Sequence, residues 1–213
     1  MMSQKIFFFL LAINFIIGCN PLCRSRTTGE IEECKARPKE CKGLPEELDG
    51  GAEVTQLQDI ASIVCYYEIG ENLSVETDSD SLDKIILPYL EMLGGYLAIR
   101  HCDKLVTISM PELVRSGVKS WWPTDFIIDS NLNLVSIHFP KLEYVGPDGV
   151  FIYDNPELTT LEMPNLVEVV GGLYISNNPK LCQSKVEAIL EQLLENGWLM
   201  DDDTDISGNN DEC

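Results

Sequence analysis

Gly171-Gly172-Leu173-Tyr174-Ile175-Ser176-Asn177-Asn178-Pro179-Lys180-Leu181-Cys182 (GGLYISNNPKLC) has a near copy upstream, Asp148 to Leu158 (DGVFIYDNPEL). Aligning the two on Leu181 and Leu158 and extending outward brings in Leu134, Leu105 and Leu82, with spacings from the N-terminal side of 23, 29, 24 and 23 residues. Six residues after this Leu comes proline, at Pro88, Pro111, Pro140 and Pro164. Six residues before it comes Ile, at Ile99, Ile128, Ile152 and Ile175; the first unit carries one extra residue and uses Val75. Three residues before it stand Cys102, Asn131, Asn155 and Asn178. Four correlated columns at one period mark an internal repeat.

Elementary geometry turns the columns into a fold. In Leu97-x-Ile99, Phe126-x-Ile128, Val150-x-Ile152 and Leu173-x-Ile175 the apolar residues alternate, so each unit contributes a short strand with one face buried. The Asn column closes each strand with a turn. An inward amide there satisfies backbone groups that stacking would otherwise bury unpaired. Cys is the other residue tolerated at that place, so Cys102 reads as a buried free thiol. A single unit cannot bury its own apolar edge, so the units must stack and the ends need covers. Ser184 to Asn196 (SKVEAILEQLLEN) places Val186, Ile189, Leu190, Leu193 and Leu194 on one helical stripe stopped by Gly197. Val54, Leu57, Ile60, Ala61 and Val64 recur at helical spacing just before Cys65. Both are expected to be amphipathic covers.

The 213 residues carry 15 Lys+Arg against 35 Asp+Glu, a formal net charge of −20. Such a field repels nucleic acid and anionic membrane surfaces and favours solubility. Lys5 precedes Ile6 to Ile17 (IFFFLLAINFII), an apolar run of 12 residues ending at Gly18. It is too short to span a bilayer comfortably, and residues 1–18 read as a secretory signal. Ile16-Ile17-Gly18-Cys19 is a loose lipobox with Ile in place of the usual Leu, which leaves a lipoprotein as the weaker alternative. No later apolar run of membrane length follows, and the closing DISGNNDEC lacks a hydrophobic tail. A secreted, extracellular protein without a membrane span is therefore expected. Its 8 cysteines fit an oxidising compartment and disulfide pairing.

These features together resemble the receptor L-domain family, the leucine-rich β-solenoid of the insulin and EGF receptor ectodomains. The residues that carry the resemblance are the opening Cys41…Cys65 pair around a helix, the strand entries GGYLAI (Gly94 to Ile99) and GGLYI, and the closing NNPKLC. After Cys182 come a helix and NNDEC, with Cys213 standing 31 residues on. The resemblance covers residues 41–213 and implies one domain there: a right-handed, leucine-rich-repeat-like parallel β-helix of about five rungs. It also implies disulfides Cys41–Cys65 and Cys182–Cys213. In the Cys-containing segment 19–40, Cys23 and Cys34 are expected to pair as a staple, and Cys19 is odd. Those receptors carry two L domains, a cysteine-rich module, a membrane span and a kinase. This chain has one L domain and is similar to stand-alone secreted members. The implied role is non-catalytic binding of an extracellular protein, a peptide hormone or a membrane receptor ectodomain.

In that family hormone contacts come from outward strand residues, and the strand register picks them out here. One outward column is Ser74, Ala98, Ile127, Phe151 and Tyr174; the next is Glu76, Arg100, Asp129, Tyr153 and Ser176. Ile127, Phe151, Tyr153 and Tyr174, with Arg100, form the expected ligand-binding patch. The competing reading is a loop, Ser116 to Thr124 with Trp121 and Trp122, folded over these side chains. Insulin-binding receptors have apolar and aromatic residues in the second column, where this chain has Glu76, Arg100 and Asp129, which argues against insulin itself. Asn72-Leu73-Ser74 is a glycosylation sequon.

Other chemistries fit less well. Asp201, Asp203, Asp205 and Glu212 match an EF-hand count, but the position that needs Gly holds Ile206, so an acidic solvated loop is expected rather than a calcium site. No metal and no cofactor are expected. A carbohydrate-active β-helix enzyme would draw its carboxylate pair from Asp125, Asp129 and Asp154. His101 and His138 occupy different places in their units, and no nucleophile–base pattern stands out. A purely structural secreted protein is the remaining alternative.

Overall fold

The computed structural model describes residues 41, 47–55, 57–77, 81–119, 126–199 and 204–213. Seventeen short strands and two helices make up the described chain. The strands form three parallel sheets. Sheet A, with six strands, stacks β1 (Glu47–Leu48), β3 (Glu68–Ile69), β6 (Met92–Leu93), β9 (Arg115–Ser116), β12 (Tyr144–Val145) and β15 (Glu168–Val169). Sheet B, with seven, stacks β2 (Ala52–Val54), β4 (Leu73–Glu76), β7 (Leu97–Arg100), β10 (Phe126–Asp129), β13 (Gly149–Tyr153), β16 (Gly172–Ser176) and β17 (Thr204–Asp205). Sheet C, with four, stacks β5 (Lys84–Ile86), β8 (Thr107–Ser109), β11 (Ser136–His138) and β14 (Thr160–Glu162). The chain visits A, B and C in turn, which makes a β-solenoid of about five turns.

Val75, Ile99, Ile128, Ile152 and Ile175 lie in one register row of sheet B, all at 0% exposure. The repeat's Leu column is equally dry, as are Ile85, Ile108 and Ile137 on sheet C. Together they form one continuous core. A further core column stands just before each proline: Leu87, Met110, Phe139 and Met163. There Phe139 packs edge-on against Phe126, their centroids 5.4 Å apart.

The Asn column is a hydrogen-bonded ladder. Asn155 Nδ2 donates to Ile128 O at 3.0 Å and to Tyr153 O at 2.9 Å, while its Oδ1 accepts the Asn131 N–H at 3.2 Å. Asn178 repeats the pattern on Ile152 O and Ser176 O and accepts from Asn155 N. Cys102 is the free, buried thiol the column leads one to expect, its Sγ 3.3 Å from Arg100 O and 3.7 Å from Val75 O. One residue before each rung of this ladder the backbone turns through positive φ, at His101, Ser130, Asp154, Asn177 and Gly208. This turn column is what lets the strand close in so few residues. At the opposite corner, Gly117 has φ +78 and its missing Cβ would lie 1.5 Å from Gly146 O, so neighbouring backbones touch where no side chain fits.

Three expectations need correction. First, Val54 ends strand β2 and pairs in register with Val75; the helix, α1, is Leu57–Ile63. Second, α2 (Gln183–Glu195) buries Val186, Ile189 and Leu193, but Leu194 is exposed. Each helix connects two strands of the stack, α1 between β2 and β3 and α2 between β16 and β17. Third, the acidic tail is a further coil. Thr204 and Asp205 pair with Leu173 and Tyr174, and Asn209 extends the Asn ladder by accepting from Asn178 N and donating to Ile175 O and Ile206 O.

Disulfide Cys41–Cys65 spans 24 residues and Cys182–Cys213 spans 31. Cys23 and Cys34 lie outside the described residues. Among the described residues no helix is long and apolar enough to cross a membrane.

Candidate functional site

The outer face of sheet B carries the candidate patch. Its strands are held in register by backbone bonds, so the side chains of each column stand about 4.8 Å from their neighbours. The first outward column runs Glu53, Ser74, Ala98, Ile127, Phe151, Tyr174 and Asp205. The second runs Glu76, Arg100, Asp129, Tyr153 and Ser176. The structure thus brings Ile127, Phe151, Tyr153, Tyr174 and Arg100 onto adjacent rungs of one face.

Their exposure is lower than the column positions alone suggest. Ile127 is buried, 9% exposed; Phe151, Tyr153, Tyr174 and Arg100 are half-buried. Close spacing along the ladder is one reason. The Phe151 and Tyr174 rings stack with centroids 4.8 Å apart and planes 13° from parallel, so each covers a face of the other. Residues 120–125 of the long insertion, including Trp121 and Trp122, lie outside the described residues, as does Asp125.

Beside the aromatics sits a buried charge. Asp129 is only 2% exposed, and its Oδ1 accepts from Arg100 Nε at 2.6 Å while its Oδ2 accepts from Ser130 Oγ at 3.0 Å. A desolvated carboxylate is tolerable because both oxygens are bonded. The hydrogen bond to Asp129 raises the Arg100 pKa above its ordinary value. Burial first, and then the Asp129 charge, push the Tyr153 phenol up, so it remains a neutral hydrogen-bonding group. Asp129 is the counter-ion of Arg100. Asp154 stands on the exposed turn after β13.

Two members of the first column were not legible as such. Glu53 and Asp205 belong to the strands added at the two ends. Asp205 follows Tyr174 directly, and its carboxyl is held below the usual range by the Ser207 hydroxyl and the Ser207 N–H, the latter at 2.9 Å. The signal was present in the sequence. Tyr174-Ile-Ser-Asn-Asn-Pro-Lys-Leu-Cys182 and Asp205-Ile-Ser-Gly-Asn-Asn-Asp-Glu-Cys213 match at a shift of 31, the spacing of the disulfide that joins their ends. Asp201 and Asp203 of the calcium count lie outside the described residues, and Asp205 is a strand residue.

Elsewhere, Asn72 precedes β4, and its Oδ1 accepts the Tyr96 N–H at 3.0 Å. His138 Nδ1 meets Glu162 Oε2 at 2.8 Å on sheet C, and His101 lies 3.4 Å from Glu76 at the edge of sheet B.

No curated protein matches the chain. The family model described as Receptor L domain matches residues 133–193, from just after the Asn131 turn through β16 and most of α2. Residues 133–193 are therefore similar to the receptor L-domain family, and the coils stacked on either side of them continue the same repeat.

Proposed function

We propose that this protein is a secreted, non-catalytic extracellular binding protein, with the outer face of sheet B as its contact surface. Its partner is a secreted protein or peptide, or the ectodomain of a membrane receptor. In this reading residues 1–18 are a secretory signal, 19–40 a Cys-containing lead segment and 41–213 the domain. The observation that carries the proposal is the stacked, half-buried Phe151–Tyr174 pair on a rigid parallel sheet. Such a pair presents large apolar area with few rotamers to freeze, and Tyr adds a polar tip. Tyr153 and the Arg100–Asp129 pair supply hydrogen bonds at its border. The match of residues 133–193 to the Receptor L domain model and two disulfides suited to an oxidising compartment support the same reading. A glycan on Asn72 belongs to it as well, beside Ser74 and clear of the aromatic rungs.

The test is capture from extracellular fluid with the wild-type chain and with Phe151→Ala/Tyr174→Ala as baits, both checked for equal thermal stability. Loss of two hot-spot aromatics is expected to weaken the specific partner by more than about 30-fold, enough to remove it from the eluate. Equal recovery by both baits rules the patch out. Crosslinking to soluble peptides as against cell-surface proteins separates sequestration from docking onto a receptor.

A further inference from the structure

The charge around the aromatic pair specifies its partner further. Glu53, Glu76, Asp154 and Asp205 all lie on or at the margin of the outer face of sheet B. Glu53, Glu76 and Asp154 are exposed, and among the described residues neither Glu53, Asp154 nor Asp205 has an ion-pair partner. Among the described residues Glu76 pairs with His101, at 3.4 Å. Arg100, the one Lys or Arg in the two outward columns, is engaged by Asp129. The other sheets differ. Sheet A carries Arg115 over the Tyr144 ring and Lys119 bridging Glu47 and Glu68, and sheet C carries Lys84. Among the described residues, sheet B sets carboxylates without an ion-pair partner beside a stacked aromatic pair.

The arrangement at its C-terminal end is specific. Because the Phe151 and Tyr174 rings stack along the ladder, Tyr174 lies between Phe151 and the next register position, which is Asp205. An ammonium or guanidinium group entering there meets the tyrosine ring and a carboxylate together, about one strand spacing apart. Asp205 is fixed as a carboxylate by its bonds to Ser207.

We propose that sheet B binds a cationic partner: a Lys- or Arg-bearing segment of an extracellular peptide or protein, with apolar residues seated on Phe151 and Tyr174 and a basic residue at Tyr174–Asp205. The proposal rests on the binding reading above and adds the chemistry of the ligand. The formal charge of −20 steers such a partner in, and the carboxylates on the face hold it.

Three synthetic peptides of equal length and equal Trp and Leu content, with net charges of +4, 0 and −4, test it by fluorescence anisotropy against the full secreted chain. The cationic peptide is expected to bind at least tenfold more tightly than the neutral one, with affinity falling as salt rises, and the anionic peptide is expected not to bind. Glu53→Gln/Asp154→Asn/Asp205→Asn should weaken the cationic peptide about tenfold, three surface charges each contributing a few tenths to 1 kcal/mol. Glu143→Gln/Glu168→Gln/Glu195→Gln removes equal charge elsewhere and should change it less than twofold. If the two triple variants behave alike, or the neutral peptide binds as tightly as the cationic one, the acidic frame is not the determinant. That result leaves the aromatic patch standing if Phe151→Ala/Tyr174→Ala still abolishes binding. If the aromatic variant binds normally, the patch itself fails.

Discussion

At the scale of single residues, the Asn column does what a buried amide must do in a stack of coils. Asn155 and Asn178 each donate to two carbonyls and accept one N–H, and Asn131 donates to Ile99 O and accepts the Cys102 N–H. Asn155→Ala therefore takes away the Asn155 partner of Ile128 O and Asn131 N in a dry interior, while Tyr153 O keeps the Ser130 N–H. At 1–3 kcal/mol for each of these two groups, the expected loss is about 2–6 kcal/mol, measured by urea unfolding. Cys102 sits at the same station, with its sulfur against the two equivalent carbonyls. Cys102→Asn is thus expected to fold with stability within about 1 kcal/mol of wild type, since the amide finds acceptors in place. The thiol also makes a pH prediction. Burial pushes its pKa up to about 11, above the ordinary value. A group raised in the folded state contributes fully below its unfolded pKa, and that contribution is lost as pH rises through the folded value. Between pH 8 and 10 the wild type should lose about 1–2 kcal/mol more than Cys102→Asn. Identical pH profiles for the two proteins would show that the thiol is not desolvated as described.

At the scale of elements, the terminal coils show where sequence reading succeeds and where it stops. The five central rungs were visible because their Ile, Asn, Leu and Pro columns recur together. Strand β2 was not visible: Val54, Leu57, Ile60 and Val64 fit a helical period equally well when the first residue ends a strand and the rest follow in α1. Strand β17 hid in an acidic segment whose Leu column has become Glu212 and in which Asn210 stands where the preceding coil has Pro179. Disulfide Cys182–Cys213 closes this last coil over 31 residues. Replacing both cysteines by Ala is expected to cost about 3–4 kcal/mol if chain entropy dominates. The loss should concentrate in the final coil, as faster hydrogen exchange at the Asn177 and Asn178 amides, which bond Ser207 O and Asn209 Oδ1. Uniform exchange across all rungs would show that the last coil is not the weak joint.

At the scale of the whole molecule, three parallel sheets around one core give a stiff prism with distinct faces. Register alone was enough to list which residues point outward from sheet B. It did not reveal that Ile127 is buried, that Asp129 is committed to Arg100, or that Phe151 and Tyr174 cover each other. Those facts depend on how neighbouring side chains fill a 4.8 Å spacing, which a column of letters does not encode. Nor did it reveal the carboxylates at the two ends of the face, because they stand on the strands that the repeat conceals.

The most direct test of the account places a photocrosslinking side chain at position 151 on sheet B, position 144 on sheet A or position 136 on sheet C, in three otherwise identical secreted chains. Exposed to the same extracellular fluid, the chain labelled at 151 is expected to form one discrete adduct, and the other two none. A discrete adduct from 144 or 136 and none from 151 would contradict the assignment of sheet B as the contact face.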